Sequence, residues 1–116
     1  MTPQQLADAL AAQRGEVVDR LRGLERELAG IIEASGLAAG SDDEHDPEGA
    51  TVAFERQHVA ALIEQARQDL DRIDAALAKV AEGRYGQCET CGEPIGAERL
   101  AARPAATTCI RCASRR

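Results

Sequence analysis

The chain has 116 residues, a formal charge of −6 and two aromatic side chains, Phe54 and Tyr85. So few large side chains exclude a broad hydrophobic core, and the acidic balance argues against a nucleic-acid-binding cation. Alanine and leucine supply most of the apolar content, which suits an all-α chain packed along a narrow seam and carrying a small stapled module.

The N-terminal residues Met1-Thr2-Pro3-Gln4-Gln5 show neither a basic n-region nor an apolar h-region, so no signal peptide is expected. No apolar run approaches the ~20 residues that span a bilayer. A cytoplasmic location, with no membrane partner, is the resulting expectation. The same residues carry a helix start. Thr2 can cap, Pro3 suits the first turn, and Gln5 completes a capping-box pattern.

Apolar residues then recur at Leu6, Leu10, Val17, Leu21, Leu24, Leu28 and Ile31, mostly four and three apart from Val17 onward, as in a coiled-coil seam. Gln13 fills a seam position, and Gly15, Gly23 and Gly30 each lower helix propensity by roughly 1 kcal/mol relative to alanine. The expected helix covers about residues 3–34. A loop over 35–50 follows, built from Ser35-Gly36, Gly40-Ser41, Pro47 and Gly49. Within it, Asp42, Asp43, Glu44, Asp46 and Glu48 fall inside seven residues.

The second run is cleaner: Val59, Ile63, Ala66, Leu70, Ile73, Leu77 and Val80 alternate between spacings of four and three without a break. Glu82-Gly83 supplies the stop, so a second helix is expected over about 51–82, roughly 45–50 Å long. Two seams of similar length joined by one loop predict a long antiparallel coiled-coil hairpin over residues 1–82 with an acidic tip. The Gly- and Pro-containing break disfavours a parallel dimer of long helices.

Residues 83–116 form the expected second module. Cys88-x-x-Cys91 and Cys109-x-x-Cys112 are separated by 17 residues, a spacing that suits one four-cysteine zinc site. Two disulfides are disfavoured in a reducing compartment; an iron–sulfur centre uses the same ligands. Four thiolates fill a tetrahedron, so the expected zinc is structural, contributing on the order of 10 kcal/mol to folding of the module. Arg99, Arg103 and Arg111 can offset the site's negative charge, and His45 and His58 are expected at the surface. No Gly-rich phosphate loop, nucleophile elbow or His-Glu-x-x-His motif occurs, and a carboxylate pair on a loop lacks an apolar pocket, so an enzyme is not expected.

The segments Gly83-Arg84-Tyr85-Gly86, Cys88-Glu89-Thr90-Cys91-Gly92-Glu93-Pro94-Ile95-Gly96, Arg99-Leu100-Ala101-Ala102-Arg103-Pro104 and Cys109-Ile110-Arg111-Cys112 closely resemble the DksA/TraR family. The resemblance is dense over residues 83–112 and continues upstream as architecture. It implies a bacterial transcription regulator that binds RNA polymerase and not promoter DNA. The coiled coil would enter the polymerase secondary channel with acidic residues near the catalytic centre, while the zinc module docks on the rim.

The family tip pattern Asp-x-x-Asp-x-Ala falls on His45, Glu48 and Ala50 when counted back from the cysteines, and a shift of the loop brings in Asp46. Arg103 matches a basic position near the site for the alarmone ppGpp, and Arg72 lies at a comparable place on the second helix; both are candidate alarmone or rim contacts. The chain stops four residues after Cys112, without the C-terminal helix of other members, which weighs against ppGpp dependence. The alternative is a zinc-stabilised coiled-coil adaptor for a different protein partner. Direct DNA binding through the arginine-rich end is the reading the acidic total charge least favours.

Overall fold

The computed structural model describes residues 2–37 and 47–115. Four helices follow in chain order: α1 (Pro3–Leu37), α2 (Pro47–Glu82), α3 (Ala97–Ala102) and α4 (Ile110–Ser114). Among the described residues the extended structure is a single antiparallel bridge between Gln87 and Pro94. The long helices α1 and α2 form a hairpin, and the cysteine cluster follows α2.

The ends of the helices follow from local chemistry. At the start of α1 the amide of Thr2 donates to Gln5 Oε1 at 2.9 Å and the amide of Gln5 donates to Thr2 Oγ1 at 3.1 Å, a reciprocal capping box. At the end of α2, Gly83 takes φ 73°. Its amide reaches the Val80 carbonyl at 3.2 Å and the Arg84 amide reaches that of Lys79 at 2.8 Å, the paired bonds of a Schellman motif.

Both long helices run further than their sequence suggests. α1 continues through Ser35 and Gly36 to Leu37, and α2 begins at Pro47 and not near Thr51. Proline at the first helical position has its missing N–H where no partner is needed, and its fixed φ already suits a helix. Glu48 and Ala50 therefore belong to the first turn of α2. His45 and Asp46, with most of the acidic cluster, lie outside the described residues.

The chain divides into two compact units. One comprises Met1–Glu16 and Asp69–Arg116. Here the start of α1 meets the end of α2: Leu10 and Ile73, each 1% exposed, are the largest fully buried side chains. Burial of each contributes about 1.5–3 kcal/mol. Arg14 Nε binds Asp74 Oδ1 across the pair at 2.7 Å, with both side chains substantially exposed, and that carboxylate raises the Arg14 pKa through the hydrogen bond and the Coulomb attraction. Gln13 interrupts the apolar seam. Its Oε1 is buried and finds no hydrogen-bond partner among the described residues, a loss of about 1–3 kcal/mol for such an acceptor.

The other unit is Val17–Gln68. Its core is Val17 of α1 with Val59, Ile63 and Ala66 of α2, all on the expected seams. Leu21, Leu24, Leu28 and Ile31 are half-buried. Gly23 and Gly30 here, like Gly15 in the first unit, are accommodated in unbroken helix.

Candidate metal centre

The first cysteine pair sits in a tight backbone loop. The Cys88 amide donates to the Glu93 carbonyl and the Gly92 amide to the Cys88 carbonyl, both at 2.9 Å, and the Ile95 amide closes on the Gly86 carbonyl at 2.8 Å. Gly86 (φ 92°) and Gly92 (φ 76°) hold the left-handed conformations this loop needs. At Gly86 a Cβ would also lie 3.3 Å from Leu100 Cδ1.

The second pair opens α4, with Cys109 as its N-cap. Two bonds set its position: the Glu89 amide donates to the Thr107 carbonyl at 2.9 Å, and Arg99 Nε of α3 donates to the Thr108 carbonyl at 2.8 Å. Cys88, Ile95 and Cys109 form a buried cluster, against which Leu100, Ala106 and Cys112 pack.

These constraints gather four sulfur atoms. Sγ of Cys88, Cys91, Cys109 and Cys112 all lie within 4.8 Å of one another, and no other such group occurs among the described residues. Sγ of Cys91 and Cys109 are 3.8 Å apart. A tetrahedron with metal–sulfur bonds of ~2.3 Å has edges of about 3.8 Å, whereas a disulfide needs ~2.05 Å. All four cysteines are free thiols, so the donor set fits a single tetrahedral ion.

The backbone prepares the donors unequally. Amide hydrogen bonds, first from Cys109 and then from Cys91, lower the Cys88 thiol to about 6. The Cys112 amide lowers Cys109. Cys112 is pushed upward, first by its hydrogen bond with the Cys109 sulfur and then by burial. Four thiolates this close repel one another, and a divalent cation at their centre relieves that repulsion.

The comparisons with known proteins agree with this geometry. The prokaryotic dksA/traR C4-type zinc finger family model matches residues 83–116. The RNA polymerase-binding transcription factor DksA of Caulobacter vibrioides is 49% identical over 49 residues, covering 42% of this chain and 34% of that protein. The factor of the same description from Haemophilus influenzae is 35% identical over 87 residues, 71% of this chain and 60% of its own length. The chain thus matches between about a third and three fifths of these curated relatives. The solved structure of transcription factor DksA2 from Pseudomonas aeruginosa superposes with a TM-score of 0.78 at 34% identity, covering 97% of this chain and 81% of that one.

The chain belongs to the DksA/TraR family.

As in the family's C4-type finger, Cys88, Cys91, Cys109 and Cys112 are positioned to hold one zinc ion. Held by four thiolates, such an ion would cross-link the module and keep no open position for a substrate. His58 is exposed on α2 and does not join the ligand set, while His45 lies outside the described residues.

Of the remaining sequence-derived site residues, His45 and Asp46 lie outside the described residues. Arg72 is exposed on α2 and lies 3.7 Å from Asp69. Arg103 is exposed just after α3, its amide bonded to the Arg99 carbonyl at 2.7 Å. Ala50 is exposed in the first turn of α2. No helix among the described residues is long and apolar enough to cross a membrane.

Two contacts that join the zinc module to α2, and one that braces the module itself, escape a reading of spacings. Lys79 Nζ binds Glu89 Oε1 at 2.6 Å, with the Lys79 side chain 18% exposed. The Tyr85 hydroxyl donates to the Pro104 carbonyl. Ala76, off the coiled-coil seam yet buried, lines a small crevice with Tyr85, Gly86 and Ala106. The one available signal was Tyr85 itself, a lone aromatic beside a cysteine pair.

Proposed function

We propose that this chain is a bacterial transcription regulator that binds RNA polymerase, with its hairpin in the secondary channel and the Asp42–Ala50 segment near the catalytic centre. The observation that carries this reading is the kinship with DksA proteins described as RNA polymerase-binding transcription factors, extended over nearly the whole chain by the likeness to DksA2. The hairpin comprises residues 1–82 and the zinc module 83–116, which docks on the channel rim.

The chain performs no chemistry of its own. Carboxylates of Asp46 and Glu48, with His45 and Ala50 beside them, alter the charge and loop conformation around the polymerase's magnesium site. Arg103 and Arg72 are the candidates for rim or ppGpp contacts, and promoter DNA is not touched directly.

Co-purification with RNA polymerase, followed by Asp46→Asn and Glu48→Gln in an initiation assay, tests the reading. Loss of the transcriptional effect with binding retained supports it. Full effect in both variants rules out the tip mechanism, and failure to bind polymerase leaves a zinc-stabilised adaptor for another protein.

A further inference from the structure

The C-terminal part of α2 and the zinc module lie in one compact unit, and Glu89 of the metal loop reaches both the helix and the second half of the site. Glu89 follows Cys88 directly. Its amide donates to the Thr107 carbonyl at 2.9 Å, which ties the first cysteine pair to the approach to Cys109. Its carboxylate receives Lys79 Nζ of α2 at 2.6 Å. The loop is therefore held from two directions.

The position of Lys79 is itself fixed. Its carbonyl accepts the Arg84 amide at 2.8 Å in the turn that ends α2. Its side chain is mostly buried and lines, with Ala76 one turn earlier, the crevice closed by Tyr85, Gly86 and Thr107. The methylene stem is thus packed, and the ammonium emerges at Glu89. Lys79 is the only lysine beside thirteen arginines. A compact ammonium on an unbranched stem suits a narrow crevice better than a guanidinium fork. Arg84, the other basic residue at this junction, pairs locally with Glu82 at the end of the helix.

Burial also sets the order in which the metal site would open. Cys88 and Cys109 are buried, whereas Cys91 is exposed, so a chelator meets the Cys91 sulfur first. Complete release then requires the loop around Cys88 to part from residues 107–109. Glu89 sits at that parting line, and its hold on α2 opposes the movement.

We propose that Lys79 is a positioning residue for the metal centre: by gripping Glu89 from α2 it keeps the Cys88–Cys91 loop closed and slows loss of the ion. It acts through Glu89 and supplies no ligand atom. The Glu89 side chain is 54% exposed, so water weakens the pair and its hold amounts to about two- to fivefold in release rate.

The test follows transfer of zinc from the loaded full chain to an excess of a chromogenic chelator. Polymerase is not needed, so the outcome is independent of the proposed function. Lys79→Met keeps a long stem and removes the charge, while Glu89→Gln keeps the shape of the acceptor. Each should speed release about two- to fivefold. The double variant should be no faster than the singles, since either change breaks the same contact. At ~1 M salt, where the Debye length is about 3 Å, the rates of these variants and the wild type should converge. Arg84→Gln should release zinc at the wild-type rate. With Co2+ as a probe ion, the thiolate charge-transfer bands should be the same in every variant, because the four ligands are untouched.

An unchanged rate in Lys79→Met overturns the proposal. So does unchanged or slower release in Glu89→Gln, the result expected if each charge acted only through its field on the anionic thiolate site. Effects that multiply in the double variant, a gap that persists at high salt, an equal gain in Arg84→Gln or altered Co2+ bands in Lys79→Met overturn it as well.

Discussion

The Tyr85 hydroxyl donates a 2.7 Å hydrogen bond to the carbonyl oxygen of Pro104. Tyr85 lies three residues before Cys88 and Pro104 five before Cys109, so this bond ties together the approaches to both halves of the zinc site. With Arg99 on the Thr108 carbonyl and the Glu89 amide on that of Thr107, it holds the segment 104–108 in place. Lys79 and Ala76 carry the same anchoring onto α2.

Tyr85→Phe should therefore destabilise the unit by about 0.5–1.5 kcal/mol, the net contribution of one such bond, measured by thermal or denaturant unfolding. Burial raises the Tyr85 phenol above its ordinary value of 10.0. The folded state thus keeps this proton to higher pH than the unfolded chain, and the associated stability, full below pH ~10, is lost as pH rises beyond it. The difference in unfolding midpoint between wild type and Tyr85→Phe should narrow in that alkaline range.

Removing the metal should unfold residues 86–114 far more than the helical pair. The cluster of Cys88, Ile95 and Cys109 has few apolar neighbours of its own, so the ion supplies much of the module's folding energy. Chelation, or Cys112→Ser, should abolish amide-exchange protection at Cys88 and Ile95 while leaving it largely intact around Leu10 and Ile73.

Ile73→Ala removes one of the two most deeply buried side chains and should cost about 2–5 kcal/mol by denaturant unfolding. Gly30→Ala should have the opposite sign. A Cβ there meets nothing within 4 Å, and alanine in an exposed helix interior gains roughly 1 kcal/mol over glycine.

The helical architecture was legible in the sequence because it rests on one-dimensional signals. The seam from Val59 to Val80 and the Thr2–Gln5 box are patterns a straight helix must honour, and all four zinc ligands follow from the doubled Cys-x-x-Cys spacing. α2 starts earlier than the apolar pattern implies because Pro47, a turn residue by composition, serves as the first helical residue. Ala76 and Lys79 were missed for a different reason. Their burial comes from residues 85–107 folding back over α2, a tertiary event that no periodicity records.

The most direct test of the central claim is a photo-crosslinking side chain placed at Ala50, in the first turn of α2, in the presence of RNA polymerase. The account predicts adducts on polymerase segments that line the secondary channel near the catalytic centre. Adducts confined to the outer surface of polymerase, with the chain still bound, would contradict it.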